Sequence, residues 1–270
     1  MVKIEPMLLT ETWDKSQLKD ETKLFQIKEN GVRAIVHIKK SKVVGIRNRS
    51  NNPILYCFPE LKELEFPFNE AILDCEICVF QDERSIFYGG IDKRRSVPTE
   101  EILQKYPATM VVFDVLKFEE DVLVFSPYNH RYEKIKTIPG ENNSKLKIAK
   151  NYCNGEELWQ KVKSKNLEGV VIKSPNTPYE LGKRSKNYVK MKNYKLAEVI
   201  VYDTEENTRG TKIFGETVID EETIKVECQL GGVFGVESGT THIIKYLDIY
   251  GSRMIQPTKV KREQIWGLKI

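Results

Sequence analysis

Alternating apolar and polar positions run through much of the chain and predict short strands rather than long helices. Residues 24–28, 33–39 and 42–48 alternate with a period of two, and the Asn-Gly turn signal at 30–31 separates the first pair. Residues 71–80 and 110–116 are nearly continuous apolar runs, which is typical of buried strands. We therefore expect three consecutive strands joined by tight turns, followed by two buried strands.

Helical periodicity is confined to short segments. In residues 156–165, Leu158, Trp159 and Val162 recur on one face of a helix. The segment 174–186 is rich in Pro, Gly and basic residues and reads as a loop, and residues 188–193 alternate strictly enough to be a strand. The predicted helices are 58–64, 99–106, 130–138 and 156–165.

The character of the chain changes near residues 193–196. Beyond that point it shows only short strands and glycine-marked turns, a pattern typical of a small barrel. The sequence therefore predicts two domains, 1–193 and 194–270. The predicted strands of the second are 197–202, 212–218 and 223–230, and its polar stretch 205–212 is predicted to be a loop.

Composition and charge narrow the class of protein. The chain has 40% hydrophobic residues, enough for an ordinary core, and no apolar run long enough to cross a membrane. Its five cysteines follow no regular framework, and its N-terminus is unlike a signal peptide, so we expect a reduced intracellular protein. Residues 141–195 hold thirteen Lys or Arg and five Glu, a local charge of +8 in a chain of net charge +4. This basic region indicates either a polyanionic partner or a set of solvated lysines.

Several charged residues occupy positions that suit chemistry. Lys28 lies at a strand end before a tight turn, where a lysine is held in place. Asp74 and Glu76 interrupt an apolar strand, and such acids are costly unless they are paired or bind a metal. Lys190 and Lys192 fall on one face of their strand. Each residue also has a plain structural interpretation: a solvated hairpin lysine, a paired carboxylate and a solvated strand face.

Six segments, in order, resemble the motifs of the ATP-dependent DNA ligases of the covalent nucleotidyltransferase superfamily. Each is weak by itself, but the ordered series is specific and covers roughly residues 5–193. The Pro-Tyr-x-x-Gly-Lys-Arg-Ser element favours DNA ligases over their RNA-joining relatives. The segments are Lys-Glu-Asn-Gly-Val-Arg at 28–33, Arg-Asn-Arg-Ser-Asn at 47–51 with Phe-Pro-Glu-Leu at 58–61, Leu-Asp-Cys-Glu at 73–76, Phe-Asp-Val-Leu at 113–116, Glu-Gly-Val-Val-Ile-Lys at 168–173, and Pro-Tyr-Glu-Leu-Gly-Lys-Arg-Ser at 178–185 with Val-Lys-Met-Lys at 189–192.

The resemblance implies an α+β fold: a nucleotidyltransferase (ATP-grasp-like DNA ligase) catalytic domain of antiparallel sheets with flanking helices, followed by a small OB-fold β-barrel. It implies a minimal, monomeric enzyme that does not bind membranes. Its cofactors would be ATP and Mg²⁺ (or Mn²⁺), and its partner nicked duplex DNA. We expect a cytoplasmic protein, of cellular or viral origin, that works in DNA repair or replication.

The resemblance also assigns roles to residues. Lys28 would attack ATP to form a lysyl-adenylate, with Lys190 and Lys192 as catalytic cations that lower the pKa of Lys28. Glu76 and Glu168 would bind the metal. ATP would contact Gln26, Ile27, Arg33, Arg49, Glu76, Phe113, Lys173, Lys190 and Lys192, and DNA would contact Lys183, Arg184, Lys186, Lys261 and Arg262.

Four departures from the family pattern leave alternatives open. Asn30 replaces the usual Asp, Cys75 a Gly and Tyr188 a Trp, and the basic C-terminal motif around Lys261 and Arg262 is only a loose match. An RNA ligase or a capping-type nucleotidyltransferase shares much of the same frame. A catalytically weak, ligase-like nucleic-acid-binding protein is the alternative from another class.

Overall fold

The computed structural model describes residues 4–140 and 143–260. The chain divides into two compact units, the first ending at Lys192 and the second beginning at Asn193. The strands of the first unit are β1 (Leu8–Glu11), β2 (Leu24–Ile27), β3 (Val32–Lys39), β4 (Lys42–Asn48), β5 (Glu70–Gln81), β6 (Arg84–Ile86), β7 (Thr109–Phe118), β8 (Asp121–Val122), β9 (Leu146–Ile148), β10 (Gly169–Lys173) and β11 (Arg184–Lys192).

Helices are short. The side chain of Thr99 caps the first α-helix by accepting from the Ile102 N–H, and that of Asn154 caps the third by accepting from the Glu157 N–H. The helix predicted at 130–138 begins earlier, directly after Pro127, and the one predicted at 58–64 is a 3₁₀ turn. The α-helices are α1 (Glu100–Lys105), α2 (Tyr128–Ile135) and α3 (Gly155–Ser164), and the 3₁₀ helices are Lys15–Lys19, Leu55–Cys57, Pro59–Glu63 and Ile91–Lys93.

The strands of the first unit form two sheets. The small sheet has the order β1-β11-β10-β2, and the large sheet the order β4-β3-β5-β7-β8, with β6 paired to β5 and β9 to β7. Most neighbours are antiparallel, but β1 pairs with β11 and β9 with β7 in parallel. A mostly sheet architecture with few helices, as expected, is confirmed.

The predicted hairpin between β2 and β3 is wrong. β2 belongs to the small sheet and β3 to the large sheet, so residues 28–31 cross from one sheet to the other. Gly31 makes this crossing possible, because a Cβ there would lie 2.3 Å from the Ile77 carbonyl oxygen of β5. The turn therefore carries Lys28 into the space between the sheets rather than out to solvent.

Strand register gathers polar residues on one face of the large sheet. Arg33 of β3 lies opposite Glu76 of β5, and Ile35 lies opposite Asp74. Asp74 in turn lies opposite Asp114 of β7. Directly paired residues share a face of a sheet, so these side chains point to the same side.

The opposite face of the large sheet supports a separate core, in which Ala34, Val36, Leu73 and Cys75 are fully buried. On the small sheet, α3 packs Leu158 and Val162 against Phe25, Val170 and Ile172. Each sheet thus has an apolar backing.

The segment predicted as a loop at 174–186 ends earlier than expected. Its last three residues, 184–186, belong to β11, where Arg184 pairs with Leu8 of β1. This partner comes from the far end of the chain, so local sequence patterns gave no indication of it.

The second unit is built from strands. Residues 205–212, predicted as a loop, lie in a hairpin in which Glu205 pairs with Lys212 and the turn occupies only residues 208–209. Its strands are β12 (Lys195–Asn207), β13 (Gly210–Ile219), β14 (Glu222–Gly231), β15 (Thr241–Tyr246), β16 (Asp248–Tyr250), β17 (Arg253–Ile255) and β18 (Thr258–Val260), in the sheet order β16-β17-β14-β13-β12-β15-β18.

All five cysteines are free thiols. None of the helices in residues 4–140 and 143–260 combines the length and the apolar character that a bilayer crossing would need.

Candidate active site

A cavity of about 230 Å³ opens in the first unit between the two sheets. Ile27 and Val171 of the small sheet, with Val111 of the large sheet, give it apolar walls, whereas charged side chains surround the rest. The cavity collects most of the residues that the sequence proposed for ATP. Those that line it are Gln26, Ile27, Arg33, Arg49, Glu76, Phe113, Lys173 and Lys190. The proposed nucleophile Lys28 lines it too, as does Arg184, which was proposed for DNA.

Lys28 is fixed in this cavity by its backbone and by its side chain. Its N–H donates to the Gly169 carbonyl oxygen at 2.9 Å, which extends the β2–β10 ladder, and the Asn30 N–H donates to Ser85 Oγ at 2.9 Å. Its Nζ lies 2.9 Å from Glu168 Oε1, with 20% of the lysine side chain and 5% of the glutamate side chain exposed. The amine and its carboxylate partner are therefore held together at the cavity.

In the protein without bound nucleotide, the positive charge on the Lys28 amine is stabilised. Burial disfavours the ammonium, but the carboxylates of Glu168 and Glu76 outweigh burial, and the pKa of Lys28 is raised. The expectation that neighbouring cations lower this pKa is therefore wrong for the free protein, because the nearest charges are negative. Burial raises the pKa of Glu76 to about 7, and the nearby Glu168 carboxylate adds to the shift.

Lys190 and Lys192 share a face of β11, as their alternation predicted. Both ammonium groups approach Glu11 Oε2, at 3.4 Å and 4.0 Å. Lys190 lines the cavity, whereas Lys192 lies outside its lining. Burial, followed by the charge of Lys190, lowers the pKa of Lys192. Glu11 was missed by the sequence analysis, since no motif surrounds it.

Arg33 is committed to a buried ion pair. Its Nε and Nη2 donate to the two oxygens of Asp74 at 2.9 Å and 2.6 Å, and Nη1 donates to the Met7 carbonyl oxygen at 2.6 Å. The Tyr179 hydroxyl donates a hydrogen bond to Asp74 Oδ2 at 2.5 Å. The guanidinium also lies 5.3 Å from the centroid of the Phe113 ring. Arg33 thus forms part of the cavity wall with its orientation fixed by Asp74.

A second buried pair supports the cavity from behind. Arg131 of α2 donates through Nε and Nη2 to the two oxygens of Asp114, at 2.7 Å and 2.8 Å. Nη2 also donates to the Tyr188 hydroxyl at 2.9 Å. The side chains of Arg131 and Asp114 are 0% and 1% exposed. This pair fastens α2 to β7 and β11, and the sequence analysis did not single out Arg131.

Lys173 is buried at the aromatic end of the cavity. Its Nζ donates to the Phe113 carbonyl oxygen at 3.0 Å and lies 4.2 Å from the centroid of the Tyr128 ring. Burial lowers the pKa of Lys173 to about 7, against the opposing attraction of the Asp114 carboxylate. Near neutral pH this amine is therefore partly uncharged.

We expect Lys173 to make stability depend on pH. An unfolded lysine keeps its proton up to about pH 10.4, whereas folded Lys173 releases its proton near pH 7. Between these values the unfolded state binds more protons, so the free energy of unfolding rises with pH. In urea unfolding, the advantage of wild type over Lys173→Met should grow between pH 7 and 10, by at most about 1.4 kcal/mol per pH unit. Lys39→Met, at an exposed position, is the control and should not change the pH dependence. If the free energies of unfolding of wild type and Lys173→Met changed with pH in parallel, this account would be contradicted.

Two carboxylates at the cavity fit a hard divalent cation. Glu168 Oε2 is buried and makes no hydrogen bond within the described residues. Glu76 lies near enough for the Glu168 carboxylate to raise its pKa. Carboxylate oxygens are the ligands that Mg²⁺ takes from proteins, usually together with water and phosphate oxygens. No cluster of three or more His, Cys, Asp or Glu suited to a metal occurs in residues 4–140 and 143–260.

Three of the proposed DNA-contacting residues belong to the part of the chain that the structure describes, and all three are exposed. Lys183 and Lys186 are exposed near the start of β11, and Arg184 donates to the Leu9 carbonyl oxygen. Lys261 and Arg262 lie outside the described residues. Their assignments therefore stay predictions.

Comparisons with known proteins show which family this chain resembles. A family model described as ATP dependent DNA ligase domain matches residues 6–192. The chain is 30% identical over 200 residues to the SPbeta prophage-derived DNA ligase-like protein LigB of Bacillus subtilis (strain 168), covering 73% of this chain and 70% of LigB. It is 28% identical over 176 residues to a probable DNA ligase of Dictyoglomus thermophilum, covering 61% of this chain but only 30% of that relative.

A solved structure extends the likeness to the fold of almost the whole chain. The ligase domain of M. tuberculosis LigD matches with a TM-score of 0.62 over 96% of this chain and 95% of that domain. The sequence identity is 16%, so this likeness concerns the fold alone. The match of the family model to residues 6–192, together with the similarity to LigB, shows that the chain belongs to the family of ATP-dependent DNA ligase domains.

Proposed function

We propose that this protein is an ATP-dependent DNA ligase that seals nicks between a 3′-hydroxyl and a 5′-phosphate in duplex DNA through a Lys28-adenylate. One observation carries the proposal: Lys28, whose Nζ contacts Glu168, lines a cavity that also has aromatic and apolar walls. A nucleotide needs both environments, one for its base and one for its phosphates. The chain spans about a third of the length of relatives such as the probable DNA ligase of Dictyoglomus thermophilum, so the activity of the whole relative is carried over here only as a proposal.

In the first step, Lys28 Nζ attacks the α-phosphorus of ATP. A P–N bond forms, the bond to the bridging oxygen breaks, and pyrophosphate leaves with its electron pair. Lys28 must lose its proton to solvent before the attack, and Glu168, its contact at 2.9 Å, orients the nitrogen. The raised pKa of Lys28 means that the free protein stores this lysine as an ammonium, and binding of ATP must shift the balance.

Two transfers complete the reaction. The AMP group passes from Lys28 to the 5′-phosphate of the nick, which regenerates the amine. The 3′-hydroxyl then attacks that phosphate, and AMP leaves. Lys190 lines the cavity beside these steps, and with Lys192 it is suited to stabilise negative charge that develops on the phosphates.

Glu76 and Glu168 would hold a divalent cation, Mg²⁺ or Mn²⁺. When bound, such a cation would neutralise phosphate charge at the cavity. The unpartnered Oε2 of Glu168 supports this assignment.

The aromatic end of the cavity suits the adenine base. Phe113 offers a ring for stacking, and Val171 lines the same cavity from the small sheet. Gln26 and Lys173 bring an amide and an amine to this end. Arg49 lines the cavity and is suited to the ribose or a phosphate, because a guanidinium can form paired hydrogen bonds to such groups.

DNA binding is assigned to the exposed basic residues and to the second unit. We propose that residues 1–193 form the adenylation domain and that 194–270 form an OB-fold, which is consistent with the small sheet-built unit that begins at Asn193. Lys183, Arg184 and Lys186 would contact DNA phosphates, and the protein would act as a monomer. Contacts of this kind do not depend on sequence and weaken with salt.

A sealing assay tests the proposal against its nearest rivals. With ATP and Mg²⁺, we expect wild type to seal nicked duplex DNA at least tenfold faster than a nick whose strands are RNA, and GTP should not replace ATP. Preference for the RNA nick would indicate an RNA ligase, and a label transferred from GTP would indicate a capping-type enzyme. A protein that binds nicked DNA but takes no label from ATP, after pyrophosphate has removed copurified AMP, would be a nucleic-acid-binding protein without catalysis.

A further inference from the structure

The amide of Gln26 is held in one orientation. Gln26 is 2% exposed and shares a face of the small sheet with Lys28, because the two residues are two positions apart in an extended segment. Its Nε2 lies 2.9 Å from the Tyr128 hydroxyl and 3.2 Å from the Ala149 carbonyl oxygen. Within residues 4–140 and 143–260 the side chain makes no other hydrogen bond.

The carbonyl of Ala149 decides which end of the amide is which. A carbonyl oxygen only accepts hydrogen bonds, so the Gln26 atom that faces it must be the nitrogen. The reversed amide would place two acceptor oxygens against each other. Oε1 is therefore turned away from Ala149. It has no hydrogen-bond partner in the part of the chain that the structure describes, but it is not fully buried, so a ligand can reach it.

Tyr128 completes the arrangement with its hydroxyl. The hydroxyl donates its single proton to Asn151 Oδ1 at 3.2 Å and so presents a lone pair to Gln26 Nε2. The ring of Tyr128 is 0% exposed and is fixed by contacts with Tyr132 and Tyr188. Asn151, Tyr128 and Ala149 together direct both N–H groups of the amide away from the cavity and leave its oxygen to face it.

We infer that Tyr128 is a positioning residue that makes this protein select a 6-amino purine over a 6-oxo purine. Resting on the proposed function, the selection concerns ATP, whose 6-amino group donates to the Gln26 oxygen. A 6-oxo purine brings an acceptor to the same oxygen, and the amide cannot reverse without losing its contacts with Tyr128 and Ala149. A buried polar group left without a partner is what lets a site discriminate strongly.

The experiment compares ATP with inosine triphosphate, which changes the 6-amino group to 6-oxo without adding a 2-amino group. Both are used α-labelled, and the rate of protein labelling is measured for wild type and Tyr128→Phe. We expect wild type to prefer ATP by about a hundredfold or more. Tyr128→Phe should lower this ratio by roughly tenfold, because reversal of the amide then sacrifices only the Ala149 contact and no longer the Tyr128 contact.

Tyr132→Phe is the matched control. The Tyr132 hydroxyl donates to the same Ala149 carbonyl oxygen at 3.1 Å, and its ring contacts Tyr128, but it makes no bond to Gln26. Its ATP preference should equal that of wild type. Asn151→Ala provides a second variant at a half-buried position: it frees the Tyr128 proton and should lower the ratio by a smaller factor. If Tyr128→Phe does not fold, this variant decides the matter.

The outcomes separate the two proposals. An unchanged ATP preference in Tyr128→Phe or, if that variant does not fold, in Asn151→Ala would overturn the inference, as would an equal fall in Tyr132→Phe. A wild type that takes no label from ATP would instead count against the proposed function. Calorimetric binding of both nucleotides in a Lys28→Ala background then tests the inference without chemistry, and equal affinities for ATP and inosine triphosphate there would overturn it.

Discussion

Lys28→Ala should abolish labelling of the protein by α-labelled ATP, a loss of roughly four orders of magnitude or more. The cavity holds other amines, but Lys173 is bound to the Phe113 carbonyl oxygen and Lys190 approaches Glu11, so neither occupies the place of Lys28 beside Glu168. Without the nucleophile no lysyl-adenylate forms. The measurement is the label retained on denatured protein, after pyrophosphate treatment has removed any AMP already bound.

Two further variants make this result interpretable. Lys28→Arg keeps a positive charge beside Glu168 but replaces the amine by a guanidinium that does not lose its proton, so it should be equally inactive. Lys163→Ala removes an exposed lysine of α3, which does not line the cavity, and should label like wild type. Thermal unfolding of each variant shows whether the fold persists. Labelling of Lys28→Ala at a rate within tenfold of wild type would end the proposed mechanism.

Arg131→Met should destabilise the first unit by about 3–5 kcal/mol. The substitution leaves the Asp114 carboxylate buried, with neither of the two guanidinium bonds that now satisfy it. The Tyr188 hydroxyl and the Ser126 carbonyl oxygen also lose their donor. Trp159 is buried in the first unit, so its fluorescence during urea unfolding reports the loss.

The charge of Asp114 is the reason for the expected size of this effect. The double variant Asp114→Asn/Arg131→Met has no buried charge to leave unpaired and should recover part of the lost stability. Exposed Arg95→Met is the control for losing an arginine of similar size, and it should change the free energy of unfolding by less than about 0.5 kcal/mol. If the double variant were less stable than Arg131→Met, packing rather than charge would be the main contribution of this pair.

Much of the local structure could be predicted from patterns of a few residues. The strands around Lys28 and Glu76 were predicted to within one residue of their bounds, because alternation and β-branched content are local properties. The strand around Lys190 was predicted to begin at residue 188, whereas it begins at Arg184. The helix caps at Thr99 and Asn154 follow the same local rules. Helix starts were less accurate where the signal was a proline before the first turn, as at Pro127.

Pairing between distant strands could not be predicted in this way. The β2–β3 crossing reads locally as a hairpin, and only the close approach of Gly31 to β5 reveals that the two strands enter different sheets. Likewise, Glu11 contacts Lys190 and Lys192 because β1 pairs with β11, although the two strands lie near opposite ends of the first unit's sequence. Such contacts depend on which strands become neighbours, and no short window of sequence contains that information.

The sequence by itself determined which chemical groups this protein has and the order in which they occur: an amine at the end of a strand, acids within apolar strands, and two lysines on one strand face. Those features follow from residue type and from periods of two and 3.6, and they were enough to indicate the family. Only the tertiary structure decided their electrostatic state. Lys28 is held as an ammonium by two carboxylates, Arg33 is bound to Asp74, and Lys173 sheds its proton readily, because burial and neighbouring charge act through space between elements far apart in the chain.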